Sequence, residues 1–387
     1  MKRAIQPISA GLLTAFIGFS SSFAVIIKGL TAVGATNAQA ASGLAALSIG
    51  MGLAGIGLSV TRRMPISSAW STPGAALLAA TGASAGGFPE AVGAFLAVGA
   101  LIVVAGLVRP FGRLVSAIPG PLANAMLAGV LFGLCLAPIR ALIEAPLAAA
   151  PIVLTWLVVS RWSRAYATPL AAVVAALVIA FMGSAQWGSV SLVTQPVLTV
   201  PAFSAGTMFS IAIPLFIVTM ASQNVPGLAV LSAYGFQPKP GPLIAVTGAL
   251  TVAAAPFGGH AVNLSAITAA LCASPDASPD PGKRWIASTT AGVIYILFGL
   301  FAGAVIAFAA GAPVLIEGVA GLALLGPFGS AMHNALADTH EREAALITFL
   351  VSASGVTIFG VGGAFWGLLA GGVVLALTRG RLTDQAR

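Results

Sequence analysis

The sequence predicts an all-α polytopic membrane protein with fourteen transmembrane segments in two inverted sets of seven, crossings 3 and 10 each being a short extended segment followed by a half-helix. Three observations predict it. Of 387 residues, 58% are hydrophobic and only 7% charged, whereas an ordinary soluble domain carries roughly 25% charged residues. Apolar stretches close to the length needed to cross hydrocarbon, about 20 residues, recur along the whole chain. Basic residues fall on alternate connections, as the cytoplasmic loops of a membrane protein require.

The same composition excludes other classes. Disorder needs low hydrophobicity with high net charge, and this chain has the reverse. A net charge of +8 would suggest nucleic acid only if the basic residues formed a stripe beside base-reading side chains. Here they come in widely spaced pairs, so no nucleic-acid partner is expected, and the bilayer is the expected solvent. The two cysteines, Cys135 and Cys272, each lie alone in an apolar run, which points to packing. Met1-Lys2-Arg3 before an apolar run resembles a signal peptide, but Ser20, Ser21 and Ser22 interrupt it and no clean cleavage site follows, so it reads as the first crossing.

Splitting the chain at charged or Gly/Pro-rich turns gives crossings at 8–28, 42–61, 64–81, 90–108, 117–137, 147–161 and 168–184. The second half follows with 206–233, 241–255, 256–274, 284–310, 313–334, 343–358 and 361–378. With this count, 15 of the 17 basic residues fall on one face, from Lys2 and Arg3 through Arg62, Arg63, Arg109, Arg113, Arg161 and Arg164 to Arg387, and only Lys28 and Arg140 fall on the other. Both termini are therefore expected in the cytoplasm of an inner-membrane protein.

Seven crossings is an odd number, so two related halves, 1–185 and 186–387, must lie in opposite orientation. Phe16-Ile17 with Ser22 recurs as Phe216-Ile217 with Ser222, and Pro121 with Ala128-Gly129 recurs as Pro313 with Ala320-Gly321. The third crossing of each half is the more informative, because short or Gly/Pro-interrupted segments at matching positions mark a binding site. Met64 to Gly74 precedes the helical run Ala75–Ala80, and Pro256-Phe257-Gly258-Gly259-His260-Ala261-Val262-Asn263 precedes Leu264–Cys272. Ser71 or Thr72 before Pro73 is a good helix start, and Asn263 is expected to cap the second half-helix similarly. With the orientation above, both helix starts meet near the midplane. Such starts attract anions through free N–H groups and the helix dipole, each contributing about 0.3–1 kcal/mol when exposed and up to about 2 when partly buried.

Crossing eight carries Thr219-Met220-Ala221-Ser222-Gln223-Asn224-Val225-Pro226-Gly227 in mid-span, a polar cluster that is costly in hydrocarbon unless it faces the bundle interior. Gln223 and Asn224 offer donors and acceptors for a carboxylate, and Pro226 frees the carbonyl of Ser222. The expected substrate-binding residues are Ser22, Trp70, Ser71, Thr72, Ser222, Gln223, Asn224, Gly259, His260 and Asn263. Trp70 and Phe257 could stack on an aromatic ring, although membrane aromatics more often serve packing.

These residues resemble a known family. Ala69-Trp70-Ser71-Thr72-Pro73-Gly74-Ala75-Ala76-Leu77-Leu78, Thr219 to Asn224, Ala266-Ile267-Thr268-Ala269-Ala270-Leu271-Cys272 and Phe365-Trp366-Gly367-Leu368-Leu369-Ala370-Gly371-Gly372 look like signatures of the benzoate/proton symporter family, and the likeness spans nearly the whole chain. It is similar in architecture to the nucleobase permeases and to anion transporters built as seven-plus-seven inverted repeats. The resemblance implies a core domain from crossings 1–4 and 8–11 (about 8–108 and 206–310) and a gate domain from crossings 5–7 and 12–14 (about 117–184 and 313–378). It also implies a small aromatic carboxylate as cargo and the proton gradient as energy source, with no cofactor or metal. Nucleobase permeases place acids in crossings eight and ten, where this chain has Gln223 and the Val262-Asn263 region, a departure that favours a carboxylate over a base.

Proton coupling needs an ionisable group inside the membrane, and the candidates are His260 and Glu317. A neutral hydrogen-bonded His260 is an equal alternative to a protonated one. The runner-up function is transport of another organic anion or a nucleobase on the same fold. A membrane enzyme would need a nucleophile with its base or a metal cluster, and a channel would need a charged ring or a filter sequence; neither pattern occurs. Sequence leaves open whether the carrier works as a monomer or as a homodimer.

Overall fold

The computed structural model describes residues 2–84, 86–108, 119–183, 193–358 and 361–385. Arg109, Arg113 and Arg387 of the expected basic pattern lie outside them. Among the described residues eight helices are long and apolar enough to cross a membrane, or nine if one bent pair counts as a single span. The remaining expected segments correspond to shorter or interrupted elements.

Helix α1 (Lys2–Ser20) and helix α2 (Phe23–Ala32) form one interrupted span. The hydroxyls of Ser21 and Ser22 both donate back to Gly18 O, at 3.2 and 3.3 Å, competing with the backbone ladder and breaking the helix there. Helix α3 (Asn37–Arg62) starts at a capping box of Thr36 and Gln39 and stops at Arg63 in the left-handed region. Strand β1 (Ser68–Trp70) leads into helix α4 (Thr72–Thr81), and helix α5 (Gly87–Leu107) follows. Next come α6 (Gly120–Cys135), α7 (Ala137–Glu144), α8 (Pro146–Ser160) and α9 (Arg164–Phe181). The expected crossing at 117–137 therefore runs on through α7 to Glu144 as one apolar stretch.

Helix α10 (Ala205–Ala233) contains two π turns, Met208–Ala212 and Met220–Asn224. Each is followed two residues later by a proline, Pro214 and Pro226. A proline has no N–H for the carbonyl four residues back and its ring crowds that carbonyl, so inserting one extra residue into the turn relieves both defects. Helix α11 (Pro240–Ala254) precedes strand β2 (Val262–Leu264) and the seven-residue helix α12 (Ile267–Ala273). Here the structure corrects the expected run Leu264–Cys272. Residues 262–264 are extended and the helix starts at Ile267.

Helices α13 (Trp285–Leu300) and α14 (Ala302–Ala309) belong to the pair bent by 58°. Thr194 holds the bend, its N–H donating to Leu300 O (2.9 Å) and its hydroxyl accepting from Gly303 N (2.8 Å). Helix α15 (Pro313–Leu336), helix α16 (Arg342–Ala353), a hairpin of β3 (Thr357–Ile358) and β4 (Val361–Gly362), and helix α17 (Gly363–Gln385) complete the chain. The expected crossing at 343–358 thus ends as helix at Ala353 and becomes extended before Ile358.

Small residues let helix pairs approach to backbone contact, the usual packing device where no water drives association. A Cβ on Gly52 of α3 would lie 2.5 Å from Gly292 O of α13, and one on Gly292 would lie 2.7 Å from Gly52 O. Gly29 of α2 sits directly on the Ala75 carbonyl of α4, and Gly129 of α6 on the Phe349 carbonyl of α16. Gly321 of α15 likewise faces Leu134 O at the end of α6.

Candidate substrate site

The site is built on two extended segments buried among the helices, where protein must satisfy their backbone. Strands β1 and β2 pair antiparallel in the register Ser68↔Leu264, Ala69↔Asn263 and Trp70↔Val262. Ser71 N donates to Ala261 O (3.1 Å) and Ser265 N to Ser67 O (3.0 Å), extending the ladder at both ends. Among the described residues the outer edge of β2 has no strand beside it. Its amides are taken by side chains, Val262 N donating to Thr251 Oγ1 and Leu264 N to Asn224 Oδ1, both at 2.9 Å.

The antiparallel ladder sends α4 and α12 away in opposite directions. Ser265 is level with Ser67, so the capping residues Ser71 and Ser265 stand four register steps apart, roughly 14 Å at about 3.4 Å per step. Ser71 is the N-cap of α4, its hydroxyl accepting from Gly74 N at 3.1 Å, and Pro73 lies in the first turn. Asn263 does not cap α12, contrary to expectation. It lies within β2, its Nδ2 donating to Leu264 O (2.7 Å), because the strand register holds it three residues short of the helix. Ser265 replaces it as the cap, its hydroxyl accepting from Thr268 N (3.3 Å).

Side chains from other elements close on this ladder. Thr219 of α10 donates its hydroxyl to Ser71 Oγ (2.9 Å), and His260 Nε2 lies 2.9 Å from Ser71 O. His260 is fully buried with its ring edge towards Phe95, which places it behind the α4 start. Trp70 Nε1 donates to Ser22 Oγ (2.8 Å), and the indole packs on Phe19 at 5.3 Å between centroids. Asn224 is fully buried, with Nδ2 towards Met220 Sδ. Ser22, Trp70, Ser71, Asn224, His260 and Asn263 thus meet in one buried cluster.

The other expected residues differ. Ser222 and Gln223 are half-buried on the π turn, Ser222 donating to Val218 O, and Thr72 is half-buried in the first turn of α4. The Gly259 amide is already donated to Ala254 O (3.0 Å), and a Cβ there would lie 2.7 Å from Ala254 Cβ, so this glycine serves a tight turn. Phe257 borders a separate apolar groove with Ser42, Ile49, Leu250 and Leu300. Glu317 is outside the cluster and pairs with Lys28. Sequence reasoning missed Thr219, Thr251 and Ser265 as bracing residues; Thr219 lay in the polar run of crossing eight, one turn before Gln223, whereas nothing local marks Thr251.

Neither interrupted segment nor α10 contains an Asp, Glu, Lys or Arg, so the fixed charge facing the cluster comes from helix ends. The far end of α12 is neutralised by Arg284, which is buried and donates to Ala273 O and Ser278 O, both at 2.8 Å. Arg284→Ala strips both carbonyls of a charged donor and is expected to lower stability by about 1.5–3 kcal/mol. Thermal unfolding of the purified protein checks it, and an unchanged midpoint would show the cap to be dispensable.

A bundle of apolar helices enclosing a neutral polar cluster between two interrupted segments defines a polytopic membrane transporter. The chain matches the family model for the benzoate membrane transport protein, BenE, over residues 2–377, and it belongs to that family. It is 42% identical over 368 residues to the inner membrane protein YdcO of Escherichia coli K12, covering 94% of this chain and 93% of that one. It is 32% identical over 369 residues to the benzoate membrane transport protein of Acinetobacter baylyi, covering 94% and 92%. The fold is similar to the transmembrane domain of the cyanobacterial bicarbonate transporter BicA (TM-score 0.61, 14% identity, 95% and 97% coverage) and to SLC26A9 (TM-score 0.62, 12% identity, 97% and 65% coverage). The family is one of membrane transport proteins, not enzymes.

Proposed function

We propose that the protein is a secondary active transporter that takes up benzoate or a closely related aromatic carboxylate across the inner membrane together with protons, by alternating access. The observation that carries this reading is the paired β1–β2 ladder, which directs two half-helix starts towards the neutral polar cluster beside the π turn at Met220–Asn224. An anion gains there from the helix dipoles, and no carboxylate on the flanking segments repels it. Ser222, Gln223 and Thr72 contact the cargo, being half-buried at the edge of the cluster. Ser22, Trp70, Ser71, Asn224, Gly259, His260 and Asn263 shape the pocket behind them. Kinship to a benzoate membrane transport protein supports the cargo class.

The same reading counts fourteen crossings as two inverted sets of seven with both termini cytoplasmic. The eight long spans and the bent pair are joined by two interrupted segments, β1–α4 and β2–α12, and three short helices, α8, α16 and the apolar part of α17. The same reading divides the chain into core and gate, and close packing supports it: α3 locks to α13 and α2 to α4, while α6 locks to α15 and α16. Proton coupling is assigned to Glu317, whose side chain is 41% exposed, in preference to the enclosed His260.

Uptake of labelled benzoate into proteoliposomes under an imposed inward proton gradient tests the proposal. Accumulation is expected, and none above gradient-free vesicles, with correctly inserted protein, would defeat it. The fold's likeness to a bicarbonate transporter keeps a second reading open, another anion as cargo. In competition assays a benzoate carrier is blocked by substituted benzoates and ignores bicarbonate and uracil.

A further inference from the structure

Lys28 and Glu317 form the ion pair that lies between membrane helices among the described residues, the other, Lys283–Asp280, being three residues apart in a connection. Their setting is apolar, a small pocket walled by Val25, Leu134, Ala137, Ala320 and Leu324. Both side chains remain partly exposed at the mouth of this pocket, so the pair can separate without leaving a buried lone charge. The charges also belong to different packing units. Lys28 is next to Gly29, which seats α2 on the Ala75 carbonyl of α4, the half-helix of the site. Glu317 is next to Gly318 and one turn before Gly321, whose contacts with Ala141, Pro138 and Leu134 O seat α15 on α6 and α7. Within each unit backbones touch and cannot slide. Between the units α2 packs beside α15, and the Lys28–Glu317 ion pair bridges these two helices.

We propose that Lys28 and Glu317 are a latch between the two moving parts of the carrier, closed when the passage on their side of the membrane is closed and broken once in every transport cycle. This rests on the division into core and gate given above, and it adds Lys28 to the transport machinery. Interfaces of this kind switch between discrete arrangements because packed surfaces do not deform continuously. A pair that contributes to only one of two conformations biases their equilibrium by its whole interaction. That accounts for a cation at position 28, off the face where 15 of the 17 basic residues are expected.

Two measurements test it. In a background carrying Cys135→Ala and Cys272→Ala, the double variant Thr31→Cys/Val314→Cys, one turn from Lys28 on α2 and one turn from Glu317 on α15, leaves the pair itself in place and is joined by a bifunctional methanethiosulfonate reagent. Uptake is expected to fall by at least about tenfold and to return on reduction, since a cross-link holds one state of the equilibrium. Cross-linked protein that transports as fast as the reduced protein overturns the latch. The second measurement needs no cargo. With Ser222→Cys in the cysteine-free background, removing the pair by Lys28→Gln/Glu317→Gln is expected to speed labelling by a membrane-impermeant maleimide, applied from the Lys28 face, by at least about threefold. An unchanged labelling rate overturns the proposal. Failure of the unmodified protein to take up benzoate would count against the cargo alone, because the labelling experiment stands without it.

Discussion

Gln223→Glu is expected to lower benzoate uptake by about 100-fold while leaving the protein folded. Position 223 is half-buried on the π turn of α10, at the edge of the cluster, and its side chain makes no hydrogen bond among the described residues. A carboxylate there costs the fold little. It does confront the carboxylate of the cargo: two like charges roughly 6 Å apart at an effective dielectric near 20 repel by about 3 kcal/mol, or about two powers of ten in affinity. Gln223→Met keeps the length without charge and is expected to lose less than about tenfold, the scale of one neutral hydrogen bond. Uptake in proteoliposomes, with the melting temperature as a folding control, gives the comparison. If the glutamate variant transports as well as the methionine variant, the cargo's negative charge does not rest beside this turn.

Asn224→Leu is the second large effect. Asn224 is fully buried, and its Oδ1 receives the Leu264 amide on the open edge of β2. Leucine fills the same space but leaves that amide without a partner where no water reaches it, at about 1–3 kcal/mol. The loss falls on a side-chain bond that ties the π turn of α10 to the strand preceding α12. A melting temperature lowered by several degrees is expected together with a KM raised by roughly tenfold or more, since about 1.4 kcal/mol of misplaced binding energy is tenfold. A variant that melts lower yet keeps its KM would make Asn224 a fold residue without a share in shaping the pocket.

Much of the architecture was legible because its causes are local. Ser71 before Pro73 reads as a helix start, since a hydroxyl cap and an N-terminal proline act within one turn, and α4 begins there. Pro226 reads as a break in the ladder, and the π turn at Met220–Asn224 sits beside it. Asn263 was misjudged for the opposite reason. Its side chain is suited to capping, but its place is set by pairing with Ala69, nearly two hundred residues away. The helix start moved to Ile267 because the strand took the residues before it, a choice no local propensity records.

By itself the sequence determined the solvent, the apolar segments, the two interruptions and the absence of charge along the site, because composition and short-range backbone chemistry decide these. Only the tertiary structure decided which groups meet. It paired β1 with β2, supplied Thr251 and Asn224 to the buried outer edge of β2, enclosed His260 behind Ser71, and set Lys28 against Glu317. Those partners lie far apart in the chain, and the reason they must meet is that the membrane offers no water: each stranded polar group has to find its match within the protein itself.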